Sequence, residues 1–163
     1  MELTKEEAQR IASRLALPAK AFIGGHFCDA ADGATFETIN PANAQVIANV
    51  AHCTGTDVDQ AVTAARRSFN DGRWSRAEPE YRKKILLRLA ALIRENTAEL
   101  AVLESLDSGK TITDCLHEIG NEVADHFQWY AELADKTFGK VAPTGEEAMA
   151  LVVKEPAGVV GLV

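Results

Sequence analysis

The chain has 163 residues, 47% hydrophobic and 25% charged, which is enough apolar material for a folded core and too much for a disordered chain. A formal net charge of -7, with 17 Lys and Arg scattered along the sequence, excludes general attraction to phosphate backbones, so nucleic acid is not an expected partner. No apolar run approaches the roughly 20 residues that span a bilayer, and the acidic start, Met1-Glu2-Leu3-Thr4-Lys5-Glu6-Glu7, does not read as a targeting segment, so no membrane partner is expected and the expected compartment is the cytoplasm.

Thr4 is placed to cap a short helix with Glu6 and Glu7 in its first turn, Ala8, Ile11, Ala12 and Leu15 on one face, and Pro18 as its stop. Residues 21–28, divided by Gly24-Gly25, then 35–39 and 45–51 around Asn40-Pro41-Ala42-Asn43, read as short strands joined by turns. From Thr56 the period becomes helical. Thr56 and Asp59 have capping-box spacing, and Val58, Ala61, Val62, Ala65 and Phe69 share a face until Asp71-Gly72.

A second helix starts near Pro79, carries Tyr81, Ile85, Leu89, Leu92 and Ile93, and breaks at Asn96-Thr97. The next one carries Leu100, Leu103 and Leu106 and ends near Asp107, with Gly109 suited to a left-handed cap. The longest stripe, Ile112, Leu116, Ile119, Val123, His126, Tyr130 and Leu133, predicts one helix over residues 111–137. Past Gly139, the turn residues Pro143-Thr144-Gly145 precede a strand-like run at 148–154, and residues 158–163 are expected to form a further strand. A central apolar strand needs hydrogen-bonding neighbours on both sides, and those of 158–163 are expected to follow Val163.

The chemistry-bearing residues give few motifs. Cys28, Cys53 and Cys115 cannot all pair and lack Cys-x-x-Cys spacing, so they are expected to be packing residues in a reducing compartment. His26 with Cys28, His52 with Cys53, and Cys115 with His117 bring soft ligands together without the spacing of a zinc site, so a small metal-binding protein has no motif behind it. Ser108-Gly109-Lys110-Thr111 matches the end of a phosphate-binding loop, but the loop's first glycine falls at Glu104. Asp107 is opposed by the dipole at the end of its helix and calls for a compensating contact, such as a cation. Glu122 stands one turn from Glu118, so both acids border one surface of the long helix.

Phe22-Ile23-Gly24-Gly25, then Thr38-Ile39-Asn40-Pro41 with Gln45-Val46-Ile47, resemble the opening of NAD(P)-dependent aldehyde dehydrogenases. Asp57-Val58-Asp59-Gln60-Ala61-Val62, the Trp74 loop, Leu106-Asp107-Ser108-Gly109-Lys110, Trp129-Tyr130-Ala131 and Glu155-Pro156-Ala157-Gly158-Val159 are similar to later landmarks of that family, in the same order. The resemblance covers nearly everything from Ala21 to Val163. It implies an α/β fold class, the chain being the N-terminal portion, about the first third, of an aldehyde dehydrogenase-like fold. In that scheme residues 1–138 are the initial strands and helices of the cofactor-binding domain. Residues 139–155 begin a bridging hairpin used in oligomerisation, and 156–163 are the first strand of a Rossmann-like sheet, truncated.

The same resemblance implies an oxidoreductase that converts an aldehyde to a carboxylic acid through a cysteine thiohemiacetal, with NAD or NADP as hydride acceptor, in a homo-oligomer. The family's oxyanion-binding asparagine, general base and nucleophilic cysteine fall beyond Val163. No catalytic or cofactor-binding residue is therefore assigned, and the chain alone is expected to be inactive. The resemblance further implies that the carbonyl oxygens of Thr38 and Ile39, with a contact at Asp107, surround a sodium or potassium ion, for which hard oxygen ligands are suited. Glu122 matches the acid that, in aminoaldehyde-oxidising relatives, meets the substrate's ammonium group near the channel mouth. The alternative is a truncated, non-catalytic protein that self-associates through a strand edge in residues 139–155.

Overall fold

A computed structural model describes residues 2–162; Met1 and Val163, the last residue of the expected terminal strand, lie outside them. Thr4 caps α1 (Lys5–Ala12) reciprocally: its Oγ1 accepts from the Glu7 N–H at 3.2 Å, while Glu7 Oε2 accepts from the Thr4 N–H at 2.8 Å. β1 (Ala21–Ile23) and β2 (His26–Cys28) form an antiparallel hairpin. Its turn, Gly24-Gly25, takes φ of +62° and +92°, which glycine adopts without a Cβ penalty. A second hairpin pairs β3 (Thr35–Ile39) with β4 (Val46–Ala51), and its register shifts between Thr38 and Ile39. The extra residue is Ile47 of β4, which the shift leaves without a partner in the ladder.

α2 (Gly55–Asp71) is capped by Thr54, two residues before the expected Thr56. Thr-x-x-Asp occurs at 54–57 and again at 56–59, and a tertiary contact selects the first. Asp57 Oδ2 accepts from the Thr54 N–H (2.8 Å) and hydroxyl (3.1 Å), while its Oδ1 accepts from the Ala31 N–H at 2.8 Å. One buried carboxylate thus closes the helix and ties it to the preceding loop. These donors, the Thr54 backbone foremost, hold the Asp57 carboxyl below its ordinary range.

α3 (Pro79–Glu95) and α4 (Thr97–Ser108) are separated by the expected break at Asn96. There Asn96 Nδ2 donates to the Leu92 carbonyl (2.8 Å), and Thr97 Oγ1 donates to the carbonyls of Ile93 (3.1 Å) and Arg94 (3.0 Å). The long helix differs from expectation. It runs as α5 (Ile112–His117), a π-helical segment (Glu118–Val123) and α6 (Ala124–Leu133), and stops four residues early. Beyond Leu133 the backbone tightens, with Lys136 N–H donating to the Leu133 carbonyl at 3.0 Å and the Thr137 hydroxyl to the same carbonyl at 3.0 Å. The π segment leans on the α3–α4 junction at Gly120, where a Cβ would come within 2.9 Å of Thr97 Cγ2.

α3 packs along α6, and the buried Ala90, Ala124 and Ala131 let two packed helices approach closely. α1 and α4 meet over a small core of Ala101, Cys115 and Leu116, flanked by Leu3 and Ile112. β5 (Lys140–Ala142) and β6 (Ala150–Val152) form a third hairpin. The expected strand at 158–163 has no ladder partner among the described residues, and an extended segment becomes a strand only when a neighbour takes its backbone groups.

The accessible surface is 12073 Å², against about 7,900 Å² for a compact monomer of this length. Uncovered apolar side chains contribute to the difference, both past residue 137, where Phe138 and Met149 are 79% and 78% exposed, and on the helix stripes, where Val58 and Val62 on α2 and Ile85 on α3 remain 56%, 48% and 44% exposed. The stripes are helical as their period requires, but their covering layer is not supplied by residues 2–162.

Candidate functional site

The bulged hairpin and the end of α4 meet at Thr38 and Asp107. The Thr38 hydroxyl donates to Asp107 Oδ1 at 2.8 Å, giving the carboxylate at the end of its helix a neutral hydrogen-bond partner. Gly109, at φ +77°, turns the chain out of α4 so closely past the Asn40-Pro41 turn that a Cβ there would lie 2.7 Å from Pro41 Cγ. Ile39 is the next residue of the irregular stretch. Two of the three residues assigned to a cation are therefore in direct contact and the third is adjacent in sequence. Backbone carbonyls and a carboxylate are hard oxygen donors, the kind of ligand an alkali cation takes.

Beside this contact lies an open groove of about 400 Å³, lined by Leu17, Ile47, Val50, Leu100, Leu103 and Ile119 together with Thr38, Glu104 and Asp107. Helical and strand periodicity mark each lining residue as apolar but do not say that the second hairpin and α4 stand apart. The groove is visible only in the tertiary arrangement.

Glu122 lies on the π segment, with Oε1 3.3 Å from His117 Nδ1. Residues five apart face one another on a π turn, whereas four apart do so on an α-helix. Glu122 therefore meets His117, and Glu118 turns to Lys110, whose ammonium donates to Oε2 at 2.7 Å and Oε1 at 3.1 Å. That bond, ahead of the charges of Glu118 and Glu104, pushes the Lys110 ammonium pKa up. Asp114 is held by its helix cap, accepting from the Thr111 hydroxyl at 2.8 Å. Asp114, His117, Glu118 and Glu122 line one shallow pocket of about 200 Å³, so the two glutamates do border a common surface, as their spacing suggested.

The remaining candidates fall away from chemistry. Lys110 is committed to carboxylates and Gly109 is a helix cap, so Ser108-Gly109-Lys110-Thr111 makes no phosphate cradle. Cys115 is fully buried, and burial pushes its thiol pKa up. Cys28 is half-buried against the Ala21 carbonyl, 3.7 Å from its Sγ. Cys53 corrects the expectation of three packing cysteines: it is exposed, because it follows the last residue of β4 and precedes the α2 cap. Desolvation, then the Asp57 charge, raises its thiol pKa, so neither Cys53 nor Cys115 is poised as a thiolate nucleophile. His52 packs edge-on against Phe36, with ring centroids 5.9 Å apart, rather than beside a ligand. Among the described residues, no group of three His, Cys, Asp or Glu side chains is placed to hold a metal ion. No helix of the structure is long and apolar enough to cross a membrane.

Comparison with known proteins gives this geometry a context. The sequence pattern of the aldehyde dehydrogenase family matches residues 27–163. The chain is 52% identical over 161 residues to the aminoacetaldehyde dehydrogenase of Pseudomonas aeruginosa, covering 99% of this chain and 32% of that protein. It is 40% identical over 149 residues to the NADP/NAD-dependent aldehyde dehydrogenase PuuC of Escherichia coli, covering 91% and 30%. Among solved structures it is similar to the aldehyde dehydrogenase KauB of Pseudomonas aeruginosa, with a TM-score of 0.93 at 40% identity over 96% of this chain and 32% of that one. It is equally similar to the indole-3-acetaldehyde dehydrogenase AldA of P. syringae, solved with NAD+ and IAA, at a TM-score of 0.93, 39% identity and the same coverage. The chain spans about a third of the length of these relatives.

Proposed function

The chain belongs to the aldehyde dehydrogenase family, and from that membership we propose that it forms the N-terminal part of an NAD(P)-dependent enzyme oxidising an amino-substituted aldehyde to its carboxylic acid. The observation that carries the substrate class is the 52% identity, over 99% of this chain, to an aminoacetaldehyde dehydrogenase, joined to a carboxylate, Glu122, exposed on the π segment. Glu122 contributes a negative charge for the substrate's ammonium group, and an exposed ion contact of this kind shifts selectivity rather than supplying bulk affinity.

The rest of the assignment follows the same scheme. Residues 1–138 are the initial strands and helices of the cofactor-binding domain, 139–155 begin the bridging hairpin, and 156–163 enter the Rossmann-like sheet; the β5–β6 pairing within 139–155 supports the middle assignment. NAD or NADP, when bound, accepts hydride, and no residue of this chain is assigned to hold it. Thr38, Ile39 and Asp107 hold a sodium or potassium ion that braces the second hairpin against α4. The half-covered stripes of α2 and α3 are the faces on which further layers of a homo-oligomeric enzyme pack. The free cysteines suit a reducing cytoplasm.

The test is expression of the complete reading frame, with NAD(P)+ reduction followed on an aminoaldehyde and on a neutral aldehyde of similar size. Activity on both, with preference for the first that Glu122→Gln reduces, is the expected result; a preference unchanged in that variant removes the role of Glu122. A second possibility is a non-catalytic protein of 17.6 kDa that self-associates through its third hairpin, where Val141, Leu151 and Val153 are 70%, 61% and 67% exposed. Intact mass and sedimentation of the native protein separate the two: a short oligomerising product supports the second, a much larger polypeptide the first.

A further inference from the structure

We infer that Gly120 and Thr97 are positioning residues for substrate selection: their contact holds the π segment in the register that presents Glu122 to a cationic aldehyde. The inference rests on Glu122 being the ammonium contact, and it adds what fixes that carboxylate in place.

The register arises because two helices follow two different partners. α5 shares a core with α4 through Cys115 and Leu116, whereas α6 lies along α3 through the buried Ala124 and Ala131. Ala124 and Ala131 are seven positions apart, about two α-helical turns, so a regular helix carried back from them would bury residue 117. His117 is exposed instead, and the enclosed residues are Cys115 and Leu116. One extra residue has to be taken up between the two faces, and the wider turn of Glu118–Val123 takes it up.

Gly120 seats that turn where α3 gives way to α4. A Cβ there would lie 2.9 Å from Thr97 Cγ2 and 3.3 Å from its Oγ1, so only glycine brings the segment this close. Thr97 is buried, and its hydroxyl donates to the carbonyls of Ile93 and Arg94, which fixes the seat. Ile119 adds a second hold, since it forms the wall of the apolar groove with Leu100 and Leu103. Asn121 and Glu122, the next residues of the same turn, are exposed. The placement of Glu122 is thus set from the buried side of the segment while its carboxylate stays accessible. A methyl added at residue 120 pushes the turn off Thr97 and carries Glu122 with it.

The test uses the full-length enzyme and two substrates, a quaternary-ammonium aldehyde and a neutral aldehyde of similar size. The quantity read at one pH is the ratio of their kcat/KM values, in which any loss of active enzyme cancels. Glu122→Gln lowers the ratio about two- to fivefold, as for an exposed ion contact, and Gly120→Ala is expected to lower it about twofold by displacing the same charge. Thr97→Ser, which removes the methyl and keeps the hydroxyl, restores the ratio in the Gly120→Ala background. In the Glu122→Gln background, Gly120→Ala lowers it no further. A ratio that Gly120→Ala leaves unchanged while Glu122→Gln lowers it overturns the positioning role and leaves Glu122 in place. A fall that persists without the Glu122 carboxylate, or that Thr97→Ser does not restore, overturns it as well. If Glu122→Gln itself leaves the ratio unchanged, the ammonium contact fails, and the positioning role with it.

Discussion

The Thr38 hydroxyl donates to Asp107 across 69 positions of sequence, 2.8 Å from Oδ1, and so joins β3, where its pairing with β4 shifts register, to the last turn of α4. The bond neutralises no charge. It leaves Asp107 a full carboxylate against the negative end of a helix dipole, an arrangement that a cation would relieve. Potassium or sodium chloride is expected to raise the melting temperature relative to a bulky-cation salt at equal ionic strength. At ten times the dissociation constant the stabilisation is about 1.4 kcal/mol, or roughly 3–5 °C for a chain of this size. Asp107→Asn should abolish the difference between the salts, and a difference that survives in Asp107→Asn excludes this carboxylate as a ligand.

Acid stability should report the contact between α3 and the segment after α6. Lys83 Nζ lies 2.7 Å from Asp135 Oδ2, and Lys136 lies 2.9 Å from Oδ1. The hydrogen bond from Lys83, then that from Lys136, lowers the Asp135 pKa to about 2. A carboxyl with a depressed folded-state pKa stabilises the fold above its unfolded value, near 3.9, and that contribution is lost as pH falls through about 2. Lys83, raised chiefly by the same bond, contributes below its unfolded value and loses that contribution only as pH climbs past its folded one. Urea midpoints measured between about pH 4 and 2 should fall less steeply for Asp135→Asn than for the unaltered chain. Added salt should narrow the gap, since the pair is partly exposed; identical slopes at low salt would contradict the assignment.

Thiol reactivity offers a check on packing. Cys53 is exposed, Cys28 half-buried and Cys115 fully enclosed beside Ala101 and Leu116. A disulfide-exchanging reagent should therefore modify one thiol per chain first, slowly for a cysteine because the Cys53 pKa is raised, and reach Cys115 only in denaturant. Cys53→Ala should remove the first phase. A first phase that persists in that variant means that β2 opens at Cys28.

The local elements were legible because each is decided by short-range chemistry: the Gly24-Gly25 turn, the Thr4 cap and the break at Asn96 all stand where their residues require. What escaped was decided across space. Thr54 rather than Thr56 caps α2 because Asp57 is also claimed by the Ala31 N–H, 26 positions away. The stripes of α2 and α3 predict helices correctly but not their exposure, since period fixes which face is apolar and not what lies on it. Asp107 called for a contact, yet nothing local names Thr38 as the donor. The π segment is the sharpest instance: a 3.6-residue stripe continues through Ile119 and Val123, while the partner of Glu122 shifts from residue 118 to residue 117.

That segment depends on Gly120, which sets two effects of opposite sign against each other. In an ordinary helix, Gly→Ala gains about 1 kcal/mol from backbone propensity. Here the new Cβ would sit 2.9 Å from Thr97 Cγ2, and Thr97 cannot rotate away cheaply because its hydroxyl is bound to the Ile93 and Arg94 carbonyls. Overpacking of this kind costs about 1–3 kcal/mol, so Gly120→Ala should be destabilising by up to roughly 2 kcal/mol net. Thr97→Ser removes the offending methyl and keeps the hydroxyl, so it should relieve the strain. In the double variant the propensity gain then acts alone, and stability should recover to at least that of Thr97→Ser by itself. Chemical denaturation of the four proteins in a double-mutant cycle measures the coupling directly. Additive effects would mean that the contact between Gly120 and Thr97 does not hold the π segment in place.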